Sequence, residues 1–533
     1  MDQSFNEEFR FGSAGFANDS DLRQAGFYQQ ERGSLLLGFH GRRPIYWNGA
    51  GGLLLVAGAR SGKLRDVLAY NICCGIYTQS MLILDMKGEL AAISQDQTKA
   101  GKHCYYWNPA GLHGLPQHRV NPVDYIRKDS KTLVSDTKVF CQNILPKSGS
   151  SNAGYFEERG QSFLEAIILT LVMLDGALTL PRLYEVVNLI PGNSDAWLDF
   201  AFEMQEARFP ITKAVEEEIA AARGSNSNGF QGILGEVMKA MAPLSDPILL
   251  KSVEAPYDCS LADLCGDNPA HFYMMPPAEF VESWAPVIKA MFVAGMIYKS
   301  RKPQATPQTW IMDECAQLGG FPLVTRMFTY GAGVGIRPWA VFQSLDQLKA
   351  IGPDAHNIIP ASAAVQSYFG VRDIETAKRL SAMLGQQTLA YDESLLQNRA
   401  KHAREQAVQA LLNGDDPVQT GLTLAHQSKA SELRSKQQRF LRTPDEILNM
   451  SDKEQTIFAD GLSSPILAQR RPYYEQRFMA GRFHPNPYHP PIDKVRVKAL
   501  IGHCWCNVIT APVPAPYKSF PQYADGRWSY VES

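Results

Sequence analysis

Gly51-Gly52-Leu53-Leu54-Leu55-Val56-Ala57-Gly58-Ala59-Arg60-Ser61-Gly62-Lys63-Leu64 reads as a buried strand running straight into a phosphate-binding loop. The apolar run Leu53 to Ala57 supplies the strand. The small residues after it let successive backbone N–H groups turn inward, and Lys63 brings a cation to where β- and γ-phosphates would lie. Gly58, Ala59, Arg60, Ser61, Gly62, Lys63 and Leu64 are therefore the candidate nucleotide-binding residues. Two positions depart from the pattern G-x-x-x-x-G-K-[ST]: Ala57 stands for the first glycine, and Leu64 for the hydroxyl residue that would hold Mg²⁺. The competing reading is a surface turn after a core strand, and the residues further along the chain decide against it.

Outward from the loop, Leu64, Val67, Leu68, Ile72 and Ile76 recur at helical spacing, so a helix is expected over Leu64 to Tyr77. Met81-Leu82-Ile83-Leu84-Asp85 is then a second strand, followed by Lys87-Gly88-Glu89. In an open parallel sheet ligands collect at the C-terminal strand ends, which puts Asp85 and Lys87 near the loop, although Asp85 serves equally as a cap for the next helix. Thr309-Trp310-Ile311-Met312-Asp313-Glu314 is an apolar strand that delivers two carboxylates at its end. Asp313 would hold Mg²⁺ through water, and Glu314 would act as general base on the attacking water. Trp339-Ala340-Val341-Phe342-Gln343 ends in an amide suited to reach the γ-phosphate or that water, and Ala363 to Phe369 is a further strand.

Between about 135 and 263 the pattern turns helical: Phe156, Phe163, Ile167, Leu171 and Leu174 share one face, and Pro191-Gly192, Phe209-Pro210 and Gly224 to Gly229 divide the region. Residues 386–441 lose apolar periodicity and are expected to be weakly ordered. Arg399, Lys401, Arg404, Lys429, Arg434, Lys436, Arg439 and Arg442 give this stretch a local basic character suited to DNA. Leu441 to Ile447 opens a helix with a capping pattern, and Gln455–Phe458 with Ile466–Ala468 reads as a closing hairpin. From Pro485 the prolines and aromatics suggest an extended strap, docked on the chain's own core or on a partner.

The composition of the 533-residue chain, 45% hydrophobic and 20% charged, is that of a globular protein with room for two or three domains. A net charge of −2 points to no nucleic acid globally. The nine cysteines are read as free thiols, and His503-Cys504-Trp505-Cys506 lacks the second ligand pair of a metal site. No stretch reaches about 18 apolar residues and no signal peptide is evident, so a cytoplasmic chain without a membrane anchor is expected.

In this order the blocks resemble the conjugative coupling proteins of type IV secretion systems, ring-forming P-loop ATPases. The resemblance covers residues 10–490. It rests on Gly12-Ser13-Ala14, Ala59 to Lys63, Asp85-Met86-Lys87-Gly88-Glu89, Trp107-Asn108-Pro109, Asp313-Glu314 with Leu318-Gly319, Gly335-Ile336-Arg337 through Gln343-Ser344, Phe369 to Asp373, and Thr443-Pro444-Asp445-Glu446. It implies an α/β fold of the RecA-like P-loop type with an inserted all-α domain. The nucleotide-binding parts would span 1–134 and 264–490, the all-α insertion 135–263, and a Pro/aromatic-rich tail 491–533. It further implies ATP and Mg²⁺ as cofactors, recruitment of a DNA or protein substrate or relaxosome to the secretion channel, and assembly as a ring. Family members begin with two membrane helices that have no counterpart here, so a separate membrane protein is expected to hold the chain at the inner membrane. They also carry an arginine where Ala332 stands, which leaves Arg326, Arg337 or Arg372 to reach a neighbouring subunit's phosphate. ATP binding with slow, assembly-dependent turnover follows. The alternatives are a nucleotide-binding adaptor of the same fold and a DNA motor unrelated to secretion.

Overall fold

The computed structural model describes residues 9–73, 79–95, 102–147, 153–192, 194–225, 228–391, 401–406, 408–409, 435–479, 482–488, 494–518 and 527–531. Its strands, in chain order, begin with β1 (Leu35–His40), β2 (Arg43–Trp47), β3 (Leu53–Ala57), β4 (Ser80–Leu84), β5 (His103–Trp107), β6 (Ala270–Met274), β7 (Gln308–Asp313), β8 (Ile336–Phe342) and β9 (Val365–Phe369). They continue with β10 (Gln386–Tyr391), β11 (Ser435–Phe440), β12 (Glu454–Ala459), β13 (Ile466–Gln469), β14 (Lys494–Lys498), β15 (His503–Pro512) and β16 (Arg527–Val531). The chain divides into a smaller unit, Met1–Ala17 with Arg372–Met450 and Ser463–Pro465, and a larger one holding the rest.

The larger unit is built on an 11-stranded sheet of order β2-β1-β13-β12-β9-β3-β8-β7-β4-β6-β5. From β9 to β5 all neighbours run parallel, and the other end is closed by antiparallel pairs. Parallel strands are covered on both faces, which is why β3, and β4 after Ser80, read as apolar runs, and why β3, β4, β6 and β8 are buried throughout. β3 sits between β9 and β8, with Leu53 opposite Val365 and Trp339, so all three strands deliver their C-terminal ends to one edge.

Between β5 and β6 the chain is helical from Leu133–Ile144 to Pro247–Ser252, and the Phe156 to Leu174 face lies on one helix, Gly154–Asp175, ended by Gly176 at φ 83°. Among the described residues, Ala278–Arg301 alone has the length and apolarity of a membrane span. It lies mostly buried, as a core helix does, although no such stretch was expected from the sequence.

The expected strap beyond Pro485 is instead a three-stranded antiparallel sheet, β14-β15-β16. Lys494-Val495-Arg496-Val497-Lys498 carries the period-2 alternation of a strand, and its apolar phase decides the docking: Val495 joins a buried cluster with Leu36, Phe39, Tyr70, Ile93, Tyr473 and Met479. The tail therefore seats on the chain's own core. His503 to Cys506 open β15, where Trp505 is 49% exposed. Among the described residues no cysteine is joined in a disulfide and no cluster could hold a metal ion.

In the smaller unit, β10 pairs with β11 antiparallel, from Gln386 opposite Phe440 to Tyr391 opposite Ser435. The two ends of the stretch expected to be weakly ordered thus form a ribbon. Arg399, Lys429 and Arg434 lie outside the described residues. Thr443 caps the helix Pro444–Leu448 with the reciprocal Glu446 bond that the sequence indicated.

Candidate functional site

The strand-to-loop transition requires left-handed backbone at two positions. Arg60 has φ 58° and Gly62 φ 90°, and the latter is where glycine costs least. The loop folds on itself through Ser61 N–H to the Gly58 carbonyl at 3.2 Å, and the Asp66 N–H closes on the Gly62 carbonyl at 2.8 Å. The segment after Lys63 is not the regular helix expected: Leu64–Leu68 is a π-turn, and only Ala69–Ile72 is α, with 74–78 outside the described residues. Such widened turns recur at functional sites. β9 ends against the loop at Gly370, where φ is +56° and an added Cβ would stand 2.6 Å from Ser61 Cβ. This close approach is the physical reason for a glycine in Gly370-Val371-Arg372-Asp373.

Leu64 corrects its assignment. Its side chain packs against the apolar cluster of Leu36, Tyr70 and Tyr473, so only its backbone N–H is left to face a phosphate and the side chain holds no metal.

β7 and β8 bring the second half of the site alongside. Lys63 Nζ lies 2.7 Å from Asp313 Oδ1 and donates to Glu314 Oε1 at 2.8 Å. Gln343, just past β8, donates to Glu314 Oε1 at 3.3 Å, and Gln317 donates to Glu314 Oε2 at 3.0 Å. Glu314 itself sits at φ 52°, an uncommon conformation for a residue with a side chain and one typical of functional positions. Burial pushes the Asp313 carboxyl above its ordinary range even with Lys63 beside it. At Glu314 burial acts in the same sense, but Lys63 and Gln343 outweigh it and hold the carboxyl low. Burial disfavours the Lys63 ammonium, yet the two carboxylates outweigh it and raise its pKa. Lys63 is thus charged, and the carboxylate oxygens stand where phosphate oxygens would meet it.

The residues fit a triphosphate with a divalent cation. One ammonium against two carboxylates leaves the pocket with a net charge of about −1, which a divalent cation reverses to suit an anion. Asp313 offers a largely enclosed oxygen whose approach to Lys63 lacks the alignment of a hydrogen bond, and Ser61 Oγ is buried without a hydrogen-bond partner.

Of the four supporting residues, the structure contradicts the expectation for Arg337 and makes Asp85 the cap that the sequence equally allowed, with the Asp313 charge acting on it. Asp85 is a helix cap: it accepts from the Glu89 N–H at 3.1 Å and the Ala91 N–H at 2.8 Å, while burial pushes its pKa up to about 7. Arg337 starts β8 and so lies at the opposite strand end from the loop, buried and donating to the Gly33 carbonyl at 3.2 Å. It cannot reach a neighbour's phosphate. Arg372 is exposed and belongs to the smaller unit. Lys87 is exposed as expected of a site residue, and its charge acts on both Asp313 and Glu314. Arg326 and Ala332 are exposed on the helix Pro322–Val334.

One pair escaped the sequence. Arg470, directly after β13, and Asp66, on the π-turn, form a buried ion pair of 2.9 Å behind the loop. The neighbouring Arg65 is partner enough for Asp66 in the sequence, which hid the need of this buried carboxylate for a second one.

A family model described as Type IV secretory system Conjugative DNA transfer matches residues 10–490. The chain is similar to the conjugal transfer protein TraG of Escherichia coli, 22% identical over 504 residues that cover 85% of this chain and 73% of TraG. Its fold is similar to that of the bacterial conjugative coupling protein TrwBdeltaN70, with TM-score 0.59, 15% identity, and 87% and 96% of the two chains covered. A structure of the plasmid coupling protein TrwB in complex with ADP and Mg²⁺ aligns with TM-score 0.58 at 15% identity, covering 86% and 96%. The architecture is accordingly the RecA-like P-loop fold with an inserted helical domain.

Proposed function

The chain belongs to the type IV secretory system conjugative DNA transfer family, and from that premise we propose that it is a coupling ATPase recruiting DNA or protein cargo to a secretion channel. The observation that carries this reading is the convergence of Lys63, Asp313, Glu314 and Gln343 at one sheet edge. ATP is the substrate. Its phosphates take the place of the carboxylates on Lys63, and the loop N–H groups hold them by oriented dipoles. Glu314, released from Lys63 and still held by Gln343 and Gln317, is left as a carboxylate facing the attacking water, where it takes the proton. Asp313 would hold Mg²⁺, which when bound would supply charge neutralisation on the phosphates; TrwB was solved in complex with ADP and Mg²⁺. We place the cargo-receiving role in the helices of 135–263 and expect the chain to work as an assembled ring.

A second reading is favoured by Leu64 and Ala332. With the side chain at 64 committed to the core and no arginine at 332, a nucleotide-binding adaptor without turnover retains the same fold. Titration with a fluorescent ATP analogue tests both: wild type binds, and Lys63→Ala weakens binding about tenfold to a hundredfold, the scale of lost charge-assisted contacts. Equal affinity in the two proteins would defeat the site assignment. Hydrolysis that rises on addition of DNA selects the motor, and binding without hydrolysis under any assembly condition selects the adaptor.

A further inference from the structure

A phosphate loop works by turning N–H groups toward the anion, which turns its carbonyls outward, and an outward carbonyl in a protein interior needs a donor. Here that donor is Arg470. Its Nη1 donates to the Ser61 carbonyl at 2.5 Å and to Asp66 Oδ2 at 2.9 Å. Nε donates to the Glu454 carbonyl at 3.1 Å, Nη2 to the Asp452 carbonyl, and the guanidinium lies 4.0 Å from the centre of the Phe369 ring. Asp66 is shared with Arg65, whose Nε and Nη2 reach its two oxygens at 2.7 and 2.9 Å. Arg470 and Asp66 keep only 1% of their side-chain surface exposed.

We propose that Arg470 is a positioning residue of the phosphate loop, fixing it from behind in the conformation that receives a triphosphate; this rests on the nucleotide reading above. The guanidinium joins four partners that no other side chain could hold together: the loop carbonyl, the π-turn carboxylate, the backbone at Asp452 to Glu454 before and within β12, and the aromatic ring at the end of β9. The charges of Arg65 and Arg470 are matched behind the loop by those of Asp66 and Asp452, which act on both guanidinium groups, so Arg470 works there as a fixed cation and not as a surplus charge. A lysine keeps that charge as a compact point on a flexible stem and cannot span those acceptors.

The test compares full-length wild type with Arg470→Met and Arg470→Lys, in two readouts. The first is the melting temperature without nucleotide; the second is affinity for a fluorescent ATP analogue with Mg²⁺, together with the ATP-induced shift in each variant's own melting temperature. Arg470→Met is expected to lose about tenfold or more in affinity, the scale of one charge-assisted hydrogen bond, and most of the ATP-induced shift. Arg470→Lys should recover only part of both. If Arg470→Met does not fold, Arg470→Lys decides: reduced affinity in a folded protein upholds the proposal. Lowered melting temperature with wild-type affinity in either variant overturns it and leaves Arg470 a structural residue. A wild type that shows neither binding nor a shift overturns the nucleotide reading itself, and this proposal with it.

Discussion

In front of the phosphate loop, Lys63, Asp313 and Glu314 keep 18–20% of their side-chain surface in water; behind it, Arg470 and Asp66 keep 1% each. Both groups are ion pairs near 2.8 Å, yet they are built for different work. The front charges have to exchange partners when a nucleotide arrives, and residual solvation keeps the cost of parting them low. The rear charges are fully desolvated and supplied with hydrogen bonds on every side, so parting them leaves a charge that nothing neutralises. Exposure thus distinguishes charges that act from charges that hold, where distance does not.

The comparison is most easily broken at its front edge. Glu314→Gln removes the proton acceptor and keeps the shape, so any turnover should fall by about 10² to 10⁴ while ATP affinity stays near wild type. Single-turnover hydrolysis beside equilibrium binding measures the two separately, and a loss of binding equal to the loss of rate would make Glu314 a holding residue. At the rear, Asp66→Ala should cost about 3–5 kcal/mol of stability in urea unfolding, because Arg470 is left buried with its carboxylate gone. A cost below about 1 kcal/mol would place the rear pair in the surface class.

Asp85 sharpens the contrast as a buried acid without a cation. Its pKa of about 7 in the folded protein, raised chiefly by burial, lies above that of the unfolded chain, so the unfolded state binds fewer protons between the usual carboxylate range and pH 7. Its contribution to stability therefore falls as pH rises across that window, by at most about 1.4 kcal/mol per pH unit. Asp85→Asn should flatten that slope in urea midpoints taken from pH 5 to 8; an unchanged slope would assign the dependence to other groups.

What the sequence made legible was local. The strand, the loop and the acidic strand end declare themselves within a dozen residues each, and parallel-sheet topology then forces Lys63 and Asp313 to one edge. Arg337 was misread because its strand was taken to begin at Trp339. β8 begins three residues earlier, at Ile336, which moves Arg337 from a loop to the far end of the sheet. The tail was read from its prolines, which hid the alternation at Lys494 to Lys498. Arg470 was beyond reach, since nothing in its neighbourhood signals a partner 404 residues earlier.

That separation bears on how the molecule comes into being. During synthesis the phosphate loop leaves the ribosome early, but the donor to its Ser61 carbonyl lies 409 residues downstream. At ordinary elongation rates the two are apart by roughly 20 to 80 s. Through that interval the nascent chain owns a loop sequence without its clasp. Closing so long a span is slow in itself, although the entropy of closure grows only with the logarithm of length. Under the clasp proposal, nucleotide binding at this loop is one of the last properties the polypeptide acquires.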